Sequence, residues 1–70
     1  MQAITKMKAF GLALIAQRTG NELSVLYRWI KAMEDGRGIK DRNKRKLIEA
    51  TAGSAQAITW ADFDSDQVTA

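Results

Sequence analysis

Apolar residues recur along the chain every three or four positions, the spacing that places side chains on one face of an α-helix. No stretch alternates apolar and polar residues for long enough to predict a half-buried strand. The chain has five Gly and no Pro, and glycines lie at the boundaries of the helical segments. The pattern predicts an all-α fold, a compact bundle of four to five helices. The segments with helical spacing are residues 3–10, 12–19, 22–33, 41–52 and 59–63.

Residues that favour helix ends stand between these segments. Asn21 is expected to cap the third helix, with Glu22 favourable beside its positive end, and Asp41 is expected to cap the fourth. Thr59 followed by Asp62 is a weak capping box, with Asp in place of the usual Glu. The glycines expected to end helices with a positive φ are Gly20, Gly36 and Gly53.

The third helical segment has two opposite faces. An apolar stripe follows the i, i+3, i+4, i+7 spacing, and a polar stripe is offset from it by two residues, or about 200° around a helix. We expect the apolar stripe to pack into the core. The outward groups are those that bind base edges and phosphates, and the alternative is an ordinary solvated face. The apolar stripe is Leu26, Trp29, Ile30 and Met33, and the polar stripe is Ser24, Tyr27, Arg28 and Lys31.

Positive charge is concentrated in the first 50 residues, which hold all 11 basic residues and five of the eight acids. A positive body favours a polyanionic partner. Several cations lie in the first turns of the fourth helix, where the helix dipole disfavours each by roughly 0.3–1 kcal/mol. That placement indicates a phosphate held by the loop and the helix start together, and the alternative is a flexible solvated loop. The cations of this cluster are Arg37, Lys40, Arg42, Lys44, Arg45 and Lys46.

Composition excludes several classes of protein. The chain has no Cys and no His, which removes thiolate and imidazole metal ligands and the commonest general base. We expect no enzyme activity, no metal, no cofactor and no small-molecule ligand. The longest apolar run, residues 12–16, is far shorter than the roughly 18 residues of a membrane span, and no signal peptide is predicted. We expect a cytoplasmic protein with one domain over residues 1–64 and a frayed acidic tail over residues 65–70.

Residues 12–31 carry a resemblance to a known family. A small residue, Ala16, stands where two helices would cross, Gly20 follows at the turn, and Leu26 and Trp29 follow as anchors of the second helix. This spacing resembles the helix-turn-helix family, and specifically the small phage Cro-type and YdaS-like repressors. The resemblance extends from about residue 4 to residue 63, and it implies a lambda-repressor-like DNA-binding fold.

The resemblance also implies which residues meet DNA. Leu23 has two interpretations, contact with a thymine methyl or packing in the core, and Glu22 either caps the helix or accepts from a cytosine amine. Arg28 is the choice for a guanine contact, because its fork matches two acceptors. The implied base-contacting residues are Leu23, Ser24, Tyr27, Arg28 and Lys31. The implied phosphate-contacting residues are Gln17, Arg18, Arg37, Lys40, Arg42, Lys44 and Arg45.

The function that the resemblance implies is sequence-specific binding of double-stranded DNA in a bacterial cell, by a phage or prophage repressor that acts by occluding an operator. Trp60 and Phe63 are expected to close the core, and the alternative is a homodimer face. A dimer would bind half-sites about 34 Å apart. One alternative function is an architectural DNA-binding protein, such as an excisionase or a packaging adaptor. Another is an inhibitor that binds an acidic protein through the basic face.

Overall fold

The computed structural model describes residues 2–64, with the backbone alone for Asp64. The predicted tail at residues 65–70 lies outside the described residues. Within residues 2–64 the chain forms five helices and no strand, which confirms the all-α prediction. The helices are α1 (Gln2–Phe10), α2 (Leu12–Thr19), α3 (Leu23–Glu34), α4 (Asp41–Thr51) and α5 (Trp60–Asp64).

The core receives one fully buried side chain from nearly every element. Met7 of α1, Ile15 of α2, Leu26 of α3, Leu47 of α4 and Ile58 of the α4–α5 connection are each 2% exposed or less. Each lies on the apolar face of its segment, so the apolar residues that recur at helical spacing are the ones that are buried. The five elements therefore share one core, and α3 is fixed in place by its inner face.

The connection between α2 and α3 is a short turn at Gly20. Gly20 has a φ of 74°, and its N–H and that of Asn21 both donate to the carbonyl of Ala16, the latter at 3.0 Å. The Asn21 bond is the closing bond of a Schellman end, which needs a left-handed residue at the glycine position. Ala16 is 6% exposed. This turn sends the chain directly from α2 into α3.

The prediction that Asn21 caps α3 is wrong. The N-cap is Glu22, whose backbone is extended and whose side chain makes no capping hydrogen bond. Asn21 uses its backbone N–H to close the end of α2, before α3 begins. Its Nδ2 atom is buried without a hydrogen-bond partner among the described residues.

The prediction that Asp41 caps α4 is also wrong, by one residue. The N-cap is Lys40, without a side-chain capping bond, and Asp41 is the first residue of the helix. Its carboxylate lies 3.8 Å from the Lys44 ammonium in the next turn. Asp41 is the acid in the first turn of α4, where the helix dipole favours negative charge.

A polar clasp joins α1 to α5. The Lys6 ammonium donates to the Asp62 carboxylate at 2.8 Å and to the carbonyl of Ala57 at 3.1 Å. The same carboxylate accepts from the backbone N–H of Thr59 at 2.8 Å, which is the acidic half of the capping box expected from the sequence. Partial burial raises the pKa of Asp62. The hydrogen bonds from Lys6 and Thr59 and the charge of Lys6 outweigh it, so the net effect is a lowered pKa.

Acid should weaken this clasp, and Asp62→Asn should remove that dependence. Because the pKa of Asp62 is lowered in the folded state, the clasp contributes fully to the free energy of unfolding above the ordinary carboxyl pKa of 3.8. The contribution is lost as the pH falls through the lowered pKa. Urea unfolding midpoints of the native chain should fall more steeply with acid than those of the variant. Equal acid slopes in the two proteins would contradict a stabilising role for the Asp62 carboxylate.

Candidate nucleic-acid interface

The inner face of α3 holds the helix against the core. Leu26, Ile30 and Met33 are buried, as their spacing predicts. Trp29, the fourth residue of the predicted apolar stripe, is partly buried and packs against the core cluster. Trp29 lies at the margin of the inner face, about 60° from Leu26 around the helix, and its ring reaches the surface there.

The outer face of α3 is open to solvent, as the sequence predicts. Ser24, Arg28 and Lys31 are exposed, and Tyr27 is 56% exposed. Leu23, the first residue of the helix, is 39% exposed, so the interpretation that placed it in the core is wrong. All five implied base-contacting side chains therefore reach the surface of one helix.

A groove runs beside this face, between α3, the α3–α4 connection and the start of α4. Its volume is about 670 Å³. Trp29 and Ile39, both partly buried, form part of its wall. Among residues 2–64, no acidic residue lines this groove. The cations that line it are Arg28, Lys31, Arg37, Lys40 and Arg42.

The α3–α4 connection brings the two sets of cations together. At the end of α3, the N–H of Arg37 donates to the carbonyl of Ala32 at 2.9 Å across Gly36, whose φ is 83°. This second Schellman end turns the chain back along the helix that it leaves. Ile39 then packs against the core and anchors the connection. Two of the predicted base-contacting residues, Arg28 and Lys31, consequently line one groove with three of the predicted phosphate-contacting residues.

The electrostatics of the groove favour an anion. Lys40 and Arg42 flank the start of α4, where no side chain caps the backbone N–H groups. Within residues 2–64, only one of the five groove cations forms a salt bridge. It is Arg37, which lies 3.3 Å from the carboxylate of Asp35 in an exposed pair. Cations grouped in a concavity without acids raise the local positive potential. An incoming phosphate would meet these charges and the positive end of α4 together.

Two residues implied as phosphate contacts have internal partners. The Arg18 guanidinium donates to the carbonyl of Ala50 at 3.0 Å and lies 5.2 Å from the centre of the Phe10 ring. The Lys44 ammonium lies 5.5 Å from the centre of the Phe63 ring. Both cations thus join helices inside the fold, Arg18 across α1, α2 and α4, and Lys44 across α4 and α5.

The remaining implied phosphate contacts, Gln17 and Arg45, are exposed and lie outside the groove. The sequence reasoning missed Ile39 and Asn43 as groove-lining residues. A signal for Ile39 was present, because it is the one apolar residue within the basic run of residues 37–46 that precedes Leu47. An isolated apolar residue in such a run indicates an anchor point on the core.

Comparison of the chain with family models, with curated proteins and with solved structures finds no match. Across residues 2–64, no helix combines the length and apolar character that crossing a bilayer requires. The same part of the chain holds no cluster of three or more acidic, His or Cys side chains arranged to bind a metal ion.

Proposed function

We propose that the protein binds double-stranded DNA sequence-specifically, with α2 and α3 acting as a helix-turn-helix unit. The observation that carries the proposal is the meeting of two surfaces. The exposed polar face of α3 and the acid-free cationic groove share Arg28 and Lys31. One surface has the groups that distinguish base pairs, and the other has the charge that holds a phosphate backbone.

In this proposal α3 lies in the major groove. A groove about 12 Å wide admits an α-helix, and the first turns of the recognition helix reach the base edges. The fork of Arg28 suits the two acceptors of a guanine, while Ser24 and Tyr27 supply hydroxyl groups to bases or phosphates. Because three inner side chains of α3 are buried in the core, the outer ones are presented from a rigid support.

In this proposal the cationic groove of the protein binds the phosphate backbone at the edge of the DNA major groove. Lys40 and Arg42 contribute charge at the start of α4, and Arg37 contributes it from the connection. A phosphate held there fixes the position and the tilt of α3 on the duplex. The biological role that we propose is a phage-type repressor that denies an operator to polymerase by occupying it, with a homodimer reading two half-sites.

Selection of bound fragments from random duplexes tests the proposal. We expect a preferred site that contains guanine, and affinities that fall linearly with the logarithm of salt concentration. A two-fold symmetric site would indicate a dimer. Uniform weak binding to every duplex would indicate an architectural protein. Absence of binding to any duplex at low salt would reject DNA binding and favour an acidic protein partner.

Arg28→Ala should weaken binding to the selected site by about 1–3 kcal/mol and relax the preference at one base pair. The guanidinium that distinguishes guanine is removed, while the inner face of α3 is untouched. Lys8→Ala is the matched control, because Lys8 is exposed on α1, does not line the groove and is not among the implied DNA contacts. Fluorescence anisotropy on the selected site and on its single-base variants measures both effects. Equal losses in the two variants would reject the base contact.

A further inference from the structure

Helix α5 brings the chain to the start of α4, beside the cationic groove. The Phe63 side chain is buried, and the Lys44 ammonium lies 5.5 Å from the centre of its ring. The backbone N–H of Lys44 donates to the carbonyl of Lys40 at 3.0 Å, and Lys40 lines the groove. One helical turn of α4, a rise of roughly 6 Å, therefore separates the neighbour of Phe63 from a groove cation.

The sequence that follows Phe63 is acidic. Residues 64–70, called the acidic segment below, read DSDQVTA and contain Asp64, Asp66 and no cation. The preceding acid, Asp62, is bound to Lys6 in the clasp between α1 and α5. An extended chain spans about 3.3–3.6 Å per residue, so residues 65–70 can reach up to about 20 Å beyond Asp64. This length is sufficient to pass the first turn of α4 and enter the groove.

The groove combines positive charge with an apolar wall. Five cations line it, and four of them form no salt bridge with the described residues. Trp29 and Ile39 are partly buried in its wall. A phosphate backbone would use the charge alone, whereas an acidic peptide with an aliphatic residue would use the charge and the wall together. The acidic segment has this composition, because Val68 follows its two carboxylates.

We propose that the acidic segment docks in the cationic groove of its own chain and competes there with DNA phosphate. Alternate residues of an extended chain face the same side, so Asp64, Asp66 and Val68 face the groove together. The two carboxylates meet the cations, and Val68 meets the wall formed by Trp29 and Ile39. The docking requires no DNA, whereas its effect on DNA binding rests on the proposed function.

The competition has a defined dependence on salt. A docked segment must leave before a phosphate enters, so the affinity for every duplex falls by the same factor. Exposed ion pairs are weak and are screened by salt, so the factor is modest. It is largest near 0.01 M salt, where the Debye length is about 30 Å, and it falls toward one near 0.1 M, where that length is about 10 Å.

Nuclear magnetic resonance on the free, full chain tests the docking itself. Asp64→Asn with Asp66→Asn removes both carboxylates, and we expect the indole resonance of Trp29 and the amide resonances of Gly38 and Lys40 to shift. Added salt should move the native resonances toward those of this variant, because it releases the segment. The shifts should not change on dilution, since the contact lies within one chain.

The matched control is Glu34→Gln with Glu49→Gln. It removes the same charge from two exposed acids that do not line the groove. The control should leave the Trp29 indole and Lys40 amide resonances in place. Melting curves of both double variants establish that they are folded.

Titration of random duplexes near 0.01 M salt tests the competition. Asp64→Asn with Asp66→Asn should bind about threefold more tightly than the control double variant, as expected for the loss of two exposed ion pairs. The difference should disappear when Lys40→Ala and Arg42→Ala are also present, because the segment then has no cations to meet. Val68→Ser, which keeps the net charge, should also increase affinity.

The outcomes separate this inference from the proposed function. Groove resonances that are unchanged in the acidic-segment variant overturn the docking, even where specific DNA binding is found. Equal gains in affinity for that variant and its control mean that net charge alone acts, and also overturn it. Shifts that vanish on dilution would place the segment in a neighbouring copy and contradict docking within one chain. Groove shifts in a protein that binds no duplex support the docking and reject the proposed function.

Discussion

Replacing Leu26 by alanine should lower the free energy of unfolding by about 2–5 kcal/mol. The Leu26 side chain is fully buried in the core cluster, which also contains Ile30 and Met33 of α3. A domain of this size has a total stability of roughly 0.05–0.15 kcal/mol per residue, so the loss is a large part of the whole. Urea unfolding followed by circular dichroism measures this loss. Under the proposed function, the variant should also lose DNA binding, because α3 is no longer held against the core.

Leu23→Ala is the matched control for this prediction. It removes the same atoms from the same helix, but Leu23 is 39% exposed at the first position of α3. Its stability should change by about 0.5 kcal/mol or less, as expected for surface substitutions. Similar losses for the two leucines would mean that α3 does not pack through the face described above.

Replacing Lys40 and Arg42 together by alanine should weaken binding to all duplexes by roughly 60-fold at about 0.1 M salt. Under the proposed function two phosphate contacts are lost, and each contributes about 0.9 to the slope of log affinity against log salt, so the slope should fall by roughly 1.8. Stability should not suffer, because both cations stand at the start of α4, where the helix dipole disfavours them. Titrations of selected and random duplexes at several salt concentrations measure the slope.

The control for the double variant changes the net charge equally without touching the groove. Lys8 on α1 and Lys46 on α4 are exposed and do not line it. Their joint replacement by alanine should reduce affinity far less and leave the salt slope nearly unchanged. A loss as large as that of the groove variant would show that total charge governs binding. A loss confined to one sequence would contradict a phosphate role for Lys40 and Arg42.

The helices were predictable from the sequence because burial in this fold is periodic. Residues 12–19 form α2 with the predicted bounds, and α4 covers residues 41–51 of the predicted helical segment 41–52. The helix caps were less predictable, because a residue can cap a helix only if its backbone is not already bonded to the end of the preceding helix. After Gly20, the backbone N–H of Asn21 bonds to the end of α2. The sequence alone does not show whether Asn21 makes this bond or caps α3 with its side chain.

The outer face of α3 was also predictable, whereas the groove was not. The exposed residues Ser24, Tyr27 and Arg28 follow from helical spacing alone. The groove depends on where the α3–α4 connection lies in space. Likewise, the partners of Arg18 and Lys44 are Ala50 and Phe63, which are distant in the chain and are brought near by tertiary packing.

Arg28 belongs to both the exposed polar face of α3 and the wall of the cationic groove. Under the proposed function, a substitution of Arg28 would alter both the base contact and the phosphate contact, so we expect little variation at this position. Ser24 and Tyr27 lie outside the groove wall and are exposed. If descendants of this protein acquired new operators, the changes would be expected at those two positions first, with the arginine inherited intact.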